Sequence, residues 1–397
     1  MELIDEIKKL EETMIAQRRL LHQNPELSYQ EFHTTEFLKK ELLNSGIELE
    51  PLQMPTGVSA IIRGERPGKT ICIRHDIDAL PIQEATGLSF ASEMDGISHA
   101  CGHDIHAIIA LYCAKLLQER KDSLAGNVRI VFQPAEEPCD GAQAMIKAGL
   151  MDLTPPNDIV VGLHTHPDTP AGSICLRKGP MEAGVEHLKI TIRGKGGHGA
   201  HPYRCVDPIM TAAFLLTQLQ AIITRENQAV KPTVLTFGSI HGGQASNAIP
   251  DQVTILGTLR TFYPECREQN IEAIRRITHS VCEGMRAEGE VEIMGSLPPL
   301  YNDGEVVDDI IHAAHTVLGE DKVVEFEFPS PGSDDFSVFL EYSKGAQFFL
   351  GTANDNPGSR PGLHNASNIF DETCIAAGVA VLTQYVLDRL CEGGNKS

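Results

Sequence analysis

The sequence predicts an α/β protein with a mostly parallel buried sheet, helices on both faces of that sheet, and a small inserted α+β domain. Short apolar runs alternate with longer helical stretches, which is the pattern of an α/β domain. Most of these runs are apolar on both faces, as expected for strands buried between helix layers. In the middle of the chain apolar and polar residues alternate instead, which indicates a second sheet with one face toward water.

Length and charge narrow the possible functions. At 397 residues the chain exceeds the usual size of one hydrophobic core, so two domains are expected. The net charge of −21 argues against nucleic acid as a partner, because phosphate binding needs clustered Lys and Arg. A small anionic substrate remains compatible with this charge, since bound metal ions can make one pocket locally positive.

The N-terminal segment and the cysteines predict a cytoplasmic protein. The segment MELIDEIKKLEETM is charged throughout and lacks the apolar stretch of a signal peptide. No later segment has the roughly 18 consecutive apolar residues of a membrane span, so no membrane contact is expected. The ten cysteines include no CxxC pair, and we expect most of them to be buried, reduced thiols.

The elements of the larger domain follow from periodicity. A helix begins at Leu3, because Leu3, Ile7, Leu10 and Met14 recur at helical spacing and form one apolar stripe. Four buried strands come after it: Thr70–Ile73, Val128–Phe132, Ile159–Leu163 and Gln347–Leu350.

The inserted domain is predicted at residues 184–294, which leaves 1–183 and 295–397 as a discontinuous catalytic, metal-binding domain. In HLKITIRG, Leu188, Ile190 and Ile192 alternate with polar residues, and VTILGTLR alternates in the same way. Helical stretches are expected near 207–225 and 266–288, with a last strand near 291–294. The order strand, helix, strand, strand, helix, strand suits a small α+β sandwich.

Polar side chains cluster where the buried strands end. Ligands bind at the carboxyl ends of strands in open α/β sheets, so these side chains are expected to converge. A fifth segment, HACGHDIH, lies in a Gly-containing loop just before an apolar helix. Together these segments supply the following candidates: Asp76, Asp78, Cys101, His103, His106, Glu136, Glu137, His164, His166 and His364.

This set of residue types indicates a metal site rather than a nucleophile site. Thiolate and imidazole favour zinc-like metals, and carboxylate also suits manganese. Alone, a His at a strand end is more often structural, and a Glu-Glu pair is normally solvated surface. Five segments that deliver candidates to one edge of the sheet favour the metal interpretation.

The two carboxylates of the Glu136–Glu137 pair can have different functions. Adjacent side chains at a strand end diverge, so one carboxylate can bind metal while its neighbour removes a proton from a water. We assign Glu137 as ligand and Glu136 as base, although position alone does not settle this order.

Several motifs together resemble one family. HACGHDIH, FQPAEE, GLH, RGKGGHGAHP, ASNAIPD, SDDF and LHN occur in the order found in the aminoacylase/carboxypeptidase superfamily of dinuclear metallohydrolases. The resemblance is greatest to its N-acyl-amino-acid amidohydrolase branch, which includes hippurate hydrolases, indoleacetyl-amino-acid hydrolases and N-acetyl-diaminopimelate deacetylases. It extends from about residue 18 to residue 382, nearly the whole chain.

The resemblance implies two divalent metal ions per subunit, manganese or zinc, with cobalt or nickel also possible. It implies that Glu136 is the general base and that Asp78 lies beside the ligands, and we expect Asp76 to lie there as well. It also implies that the Cys101 thiolate is shared between the two metals. The implied ligands are Cys101, His103, Glu137, His164 and His364.

For the inserted domain the resemblance implies a lid and a homodimer interface. His198 matches a lid histidine that stabilises an oxyanion, and Asn247 and Arg260 match positions that hold the substrate carboxylate. A guanidinium suits that task because it binds a carboxylate with two hydrogen bonds. The alternative for Arg260 is a solvated strand residue.

The sequence departs from the branch pattern at His75, Thr165–His166, Asp334 and Ala366, and none of these changes removes an expected ligand. The implied function is hydrolysis of N-acyl amino acids, with acetyl or aromatic acyl groups, to a carboxylic acid and a free amino acid. One alternative is a dipeptidase or carboxypeptidase that uses the same two metals. Another is a non-catalytic relative that only binds a ligand.

Overall fold

Two sheets organise the chain, one in each of two structural units. A computed structural model describes residues 3–391. The first unit consists of the described residues up to Gly179, Asn302–Phe328, and those from Asp334 onward. The second consists of Pro180–Tyr301 and Pro329–Ser333.

The described helices are α1 (Leu3–Lys8), α2 (Glu11–Gln23), α3 (Phe32–Asn44), α4 (His103–Gln118), α5 (Gly141–Lys147), α6 (Pro208–Ala221), α7 (Pro264–Gly284), α8 (Gly304–Leu318), α9 (Phe336–Phe339) and α10 (Cys374–Leu390). The described strands are β1 (Glu48–Leu49), β2 (Val58–Arg63), β3 (Arg66–Asp76), β4 (Ala125–Gln133), β5 (Ile159–Pro170), β6 (Ile174–Leu176), β7 (Gly179–Glu182), β8 (Gly184–Arg193), β9 (Gly197–His198), β10 (Thr233–His241), β11 (Ala248–Ile249), β12 (Gln252–Thr261), β13 (Glu288–Leu297), β14 (Leu300–Asn302), β15 (Val323–Glu325) and β16 (Lys344–Ala353). Among the described residues, no helix is long and apolar enough to cross a membrane.

The sheet of the first unit has the strand order β1-β2-β4-β3-β5-β16-β6-β15. The four predicted strands lie within β4, β3, β5 and β16, which are neighbours and parallel to one another. Antiparallel pairs occur outside this central group, for example between β2 and β4. The mostly parallel sheet is thus confirmed, and the carboxyl ends of its central strands share one edge.

Helices cover both faces of this sheet. Gly378 of α10 packs closely against the side chain of Leu163 in β5. Gly162, the preceding residue of β5, packs closely against the ring of Phe336 in α9. Successive strand residues point to opposite faces, so α10 and α9 pack on opposite sides of β5. Helix α4 lies in the α10 layer and is buried along most of its length.

The second unit has a four-stranded antiparallel sheet with the order β10-β12-β8-β13. In chain order its elements are β8, α6, β10, β12, α7 and β13, which is the predicted succession of strands and helices. Leu188, Ile190 and Ile192 are buried in a core shared with α6 and α7. The opposite face carries polar residues such as Lys189, which forms an ion pair with Glu292 at 3.0 Å.

The N-terminal helix differs from the prediction. The apolar stripe from Leu3 to Met14 is divided between α1 and α2, because Lys9 and Leu10 form a turn between the two helices. In this turn the amide of Leu10 donates to the carbonyl of Ile7 at 2.9 Å. Ile7 and Met14 are both fully buried, so the break preserves the apolar face.

Candidate metal centre

The five predicted ligands lie together in the first unit. Cys101 and His103 are at the N-terminus of α4, Glu137 follows β4, His164 lies in β5, and His364 lies in the loop after β16. Their donor atoms form two groups, Cys101–His103–His164 and Cys101–Glu137–His364, and within each group they lie within 4.8 Å of one another. The two groups share Cys101.

Both buried histidines are oriented by backbone carbonyls. Nδ1 of His103 lies 2.9 Å from the carbonyl oxygen of Asp78, and Nδ1 of His164 lies 2.9 Å from that of Thr165. A carbonyl can only accept, so Nδ1 carries a proton, and once the ring is neutral its lone pair is on Nε2, the arrangement that fixes a metal-binding imidazole. Among the described residues, Nε2 of His103 is buried without a hydrogen-bond partner.

The charges around these ligands favour a cation. Burial, together with the nearby Glu137 and Glu136, raises the pKa of the Cys101 thiol well above its usual range. Burial opposes protonation of His103, but Asp76 and Asp78 outweigh it and raise the pKa of His103 to about 10. Divalent ions would neutralise these carboxylates and ionise the thiol, so the residues present fit a two-metal site.

Asp78 connects the strand edge to the glutamates. Its carboxylate accepts the backbone N–H of Glu136 at 3.0 Å and that of Glu137 at 3.1 Å. One of the same oxygens lies 3.2 Å from Nδ1 of His103. Asp78 therefore orients one proposed ligand directly and the two glutamates through their backbone.

Glu136 and Glu137 have different surroundings. An oxygen of Glu137 lies 3.2 Å from Nε2 of His364. Glu136 groups with His103 and Glu137 and also with Asp334 and Asp335, and burial plus these two aspartates raises the pKa of Glu136 well above its usual range. Glu137 thus lies next to His364, whereas Glu136 has Asp334 and Asp335 beside it.

Arg74 balances the buried acids beside Glu136. Its guanidinium donates to Asp335 at 2.5 Å and Asp76 at 3.0 Å, and it lies 3.3 Å from Asp334. Burial raises the pKa of Asp335 to about 7, with Arg74 opposing and Asp334 adding to the effect. This network holds the acids in place beside Glu136.

His106 is not available as a ligand. Its Nδ1 lies 2.5 Å from Asp76, and its Nε2 accepts the backbone N–H of Thr165 at 2.9 Å. Both nitrogens are therefore engaged, and burial lowers the pKa of His106 to about 4. His166 stacks on Phe349 with ring centroids 5.0 Å apart, and its Nδ1 lies 2.9 Å from the hydroxyl of Thr169.

The predicted lid residues lie in the second unit. His198 and Asn247 are both exposed. They lie close together because β9 pairs with β11 and the amide of Gly199 donates to the carbonyl of Asn247 at 2.8 Å. Nδ1 of His198 accepts the N–H of Ala200 at 3.1 Å, so a neutral His198 carries its proton on Nε2 and can donate there. One nitrogen of Arg260 donates to the carbonyl of Pro331 at 2.9 Å and to the hydroxyl of Ser333 at 3.0 Å.

Sequence reasoning missed several residues of this centre. Arg74 offered one signal, since a charged residue in an otherwise apolar strand needs buried carboxylate partners. Asp335 stood out only as part of the SDDF motif. Glu31, which contacts the glutamate segment, gave no sequence signal because a single acid in a loop is normally solvated.

Comparison with known proteins adds an independent observation. Residues 72–388 match the model of peptidase family M20/M25/M40. The chain is 42% identical to an N-acetyl-L-cysteine deacetylase of Bacillus subtilis, over 93% of this chain and 86% of the relative. It is 38% identical to thermostable carboxypeptidase 2 of Saccharolobus solfataricus, over 95% of each. A crystal structure of a dinuclear metal-binding M20 peptidase of Bacillus subtilis aligns with a TM-score of 0.83 and 34% identity, covering 96% of this chain and 98% of that one.

Proposed function

Because the chain belongs to peptidase family M20/M25/M40, we propose that it is a metal-dependent amidohydrolase acting on N-acyl amino acids. It splits the amide bond and releases a carboxylic acid and a free amino acid. The observation that carries this proposal is the pair of ligand groups that share Cys101, with Glu136 beside them at the carboxyl edge of the sheet. A site that only bound a ligand would have no need of a second buried carboxylate next to its metal ligands.

Two divalent ions would be held by the five residues of the centre. Cys101, His103, Glu137, His164 and His364 would hold the ions, and Cys101 is common to both groups of donor atoms. Imidazole, thiolate and carboxylate donors suit zinc or manganese, and cobalt or nickel can use the same set. When bound, the ions supply Lewis acidity toward the scissile carbonyl and lower the pKa of a coordinated water.

The residues of the chain perform the proton transfers and hold the substrate. Glu136 takes a proton from the attacking water and gives it to the leaving amine. His198 donates from Nε2 to the oxyanion, which is usually the largest electrostatic contribution. Asn247 and Arg260 hold the carboxylate of the amino acid, and Arg260 keeps donors for this task beyond the nitrogen bound to Pro331 and Ser333.

The second unit also serves as a lid and a homodimer interface in this proposal. Apolar side chains are exposed on α6, namely Ile209, Met210 and Phe214. Val234 and Ile240 are exposed on β10, which is an edge strand of the antiparallel sheet. Exposed apolar residues beside an unpaired strand edge favour association with a second copy.

A cytoplasmic location is part of the same proposal. A metal-binding Cys101 requires a reduced thiol, and none of the ten cysteines of the chain lies in a disulfide. Reduced thiols persist in the cytoplasm, whereas oxidising compartments favour disulfides.

A substrate panel tests the proposed function against its nearest alternative. The named carboxypeptidases of Saccharolobus solfataricus favour peptide hydrolysis as a second candidate. The panel compares N-acetyl amino acids, N-benzoyl amino acids and dipeptides by released amine, each with manganese, zinc, cobalt and nickel. A higher kcat/KM for N-acyl amino acids supports the proposal, and a higher value for dipeptides replaces it with the peptidase function. Metal-loaded protein that turns over neither class contradicts both.

Chelation should expose one additional reactive thiol. Metal ions hold a coordinating Cys as a thiolate and shield it from modification. Because the pKa of the metal-free Cys101 thiol is raised, thiols are counted at alkaline pH. The counts before and after chelation should then differ by about one, and the difference should be absent in Cys101→Ala. Cys113→Ala is the matched control, because that thiol is fully buried in α4 away from the ligand groups. A Cys101→Ala protein that keeps two metals would remove Cys101 from the site.

A further inference from the structure

The loop between α2 and α3 contacts the segment that carries Glu136 and Glu137. Glu31, at the end of this loop, is fully buried. Its Oε1 accepts the backbone N–H of Ala135 at 3.0 Å and that of Tyr29 at 2.9 Å. One carboxylate oxygen therefore joins the loop to the residue immediately before the proposed base.

The backbone at both bonded amides is unusual. Ala135 has φ of 54° and Tyr29 has φ of 63°, in the left-handed region that residues other than glycine rarely occupy. Such a conformation persists when the surroundings hold it in place. Ala135 is also fully buried, so without Glu31 its amide would lack a partner.

Two further hydrogen bonds join the same loop to the centre. The hydroxyl of Ser28 donates to Oδ2 of Asp78 at 2.7 Å, and this oxygen also accepts the N–H of Glu137. The hydroxyl of Tyr29 donates to Asp140 at 2.8 Å, beyond Glu137 in sequence. The glutamate segment is thus held before, within and after its two carboxylates.

We propose that Glu31 is a positioning residue that, with Ser28, sets the backbone of the glutamate segment and thereby aims Glu136 and Glu137. The proposal rests on the roles assigned to these two glutamates in the proposed function. Glu31 is in none of the groups of possible metal-binding residues, and it acts through the N–H of Ala135. This role requires a side chain long enough to place its acceptor oxygen at the Ala135 amide, and it does not require the negative charge.

Two substitutions separate the effect of side-chain length from the effect of charge. Glu31→Gln keeps the length of the side chain and an acceptor oxygen, and it removes the charge. Glu31→Asp keeps the charge and withdraws the acceptor from the Ala135 amide. A positioning role predicts that Gln is tolerated and Asp is not.

The same loop offers a matched control. Glu26 also accepts two backbone N–H groups, those of His33 at 3.0 Å and Thr34 at 2.9 Å, but these belong to the start of α3. Glu26→Asp should weaken the start of that helix and leave the glutamate segment as it is. Any general loss of loop order would affect both Asp variants equally.

The experiment measures kinetics, metal affinity and backbone exchange on the full chain. For Glu31→Asp, we expect kcat per metal-loaded site to fall roughly 10- to 100-fold, with KM within about threefold of wild type. Manganese affinity should fall roughly 10- to 100-fold, because Glu137 is no longer held in place. Hydrogen exchange of the peptide spanning 134–140 should accelerate in the metal-free protein as well. Glu31→Gln and Glu26→Asp should remain within about threefold of wild type in kcat.

Hydrogen exchange keeps this inference distinct from the proposed function. Faster exchange at 134–140 in Glu31→Asp alone supports the positioning role whatever reaction the enzyme catalyses. The role is overturned if exchange and metal affinity are unchanged in Glu31→Asp, or if Glu26→Asp changes them to the same extent. It is also overturned if Glu31→Gln behaves like Glu31→Asp, because charge would then be the property that matters.

Ser28→Ala covers the case in which Glu31→Asp does not fold. It removes one hydroxyl from a half-buried position, and Ser28→Thr restores the donor. Ser28→Ala should lower kcat by about 3- to 10-fold and accelerate exchange at 134–140, and Ser28→Thr should reverse both changes. Wild-type values for Ser28→Ala would contradict the proposal.

Discussion

Replacing Glu136 with glutamine should lower kcat by about 10²- to 10⁴-fold and leave metal content and KM near their wild-type values. The amide keeps the shape of the side chain but cannot take a proton from water. Burial and the neighbouring Asp334 and Asp335 raise the pKa of Glu136, which suits a group that must both take and release a proton. Single-turnover kinetics with a metal assay on the same sample measure the effect.

The adjacent carboxylate is the matched control for this substitution. Glu137→Gln makes the same chemical change one residue away, in a side chain that lies beside His364 and His103. We expect Glu137→Gln to lose metal, whereas Glu136→Gln should retain it. The opposite pattern would exchange the two roles, and near-normal turnover of Glu136→Gln would remove it from the mechanism.

The central sheet could be predicted because its strands carry a strong local signal. Each of the four predicted strands is a run that is apolar on most positions, and all four became neighbours in the parallel part of the sheet. Strands β6 and β15 have three residues each, too few to show any period. Their position depends on pairing of β6 with β16 and with β15, and these long-range contacts leave no pattern in the local sequence.

The bounds of the second unit show a related limit. The alternating strands place the inserted domain at 184–294, and the unit in the structure extends from Pro180 to Tyr301. It also includes Pro329–Ser333, a segment remote in sequence from the rest. The amide of Ala183 donates to the carbonyl of Gly332 at 2.9 Å, and no periodicity could have indicated that contact.

Candidate ligands were easier to predict than the groups that position them. Cys, His and paired carboxylates at strand ends have few structural explanations in combination, so their residue types already indicate a metal site. Arg74, Asp335 and Glu31 act through hydrogen bonds to partners 104 to 261 positions away, and the partner of Glu31 is a backbone amide. Such partners are determined by how strand ends and loops meet in space, which the sequence does not display.

The contribution of His198 to catalysis depends on the assembly of the chain. Removing the imidazole in His198→Ala should leave the metals bound and cost about 2.7–4 kcal/mol of transition-state stabilisation, the scale for one oxyanion donor. The structure favours a donor role, since Nδ1 of His198 accepts the N–H of Ala200 and leaves Nε2–H free to donate. His201→Ala is the matched control, because that exposed ring lies 5.5 Å from His198 and has no assigned role.

Subunit mixing then shows which active site His198 serves. His198→Ala and Glu136→Gln are each inactive alone, but a hybrid dimer contains one site with an intact base and, if His198 acts across the interface, an intact histidine from the other chain. Equal, random exchange makes half of the dimers hybrid with one working site each, so activity should approach about a quarter of wild type. Mass spectrometry of the mixture verifies that exchange has occurred. If hybrids form and no activity returns, His198 acts within its own chain or takes no part in the reaction.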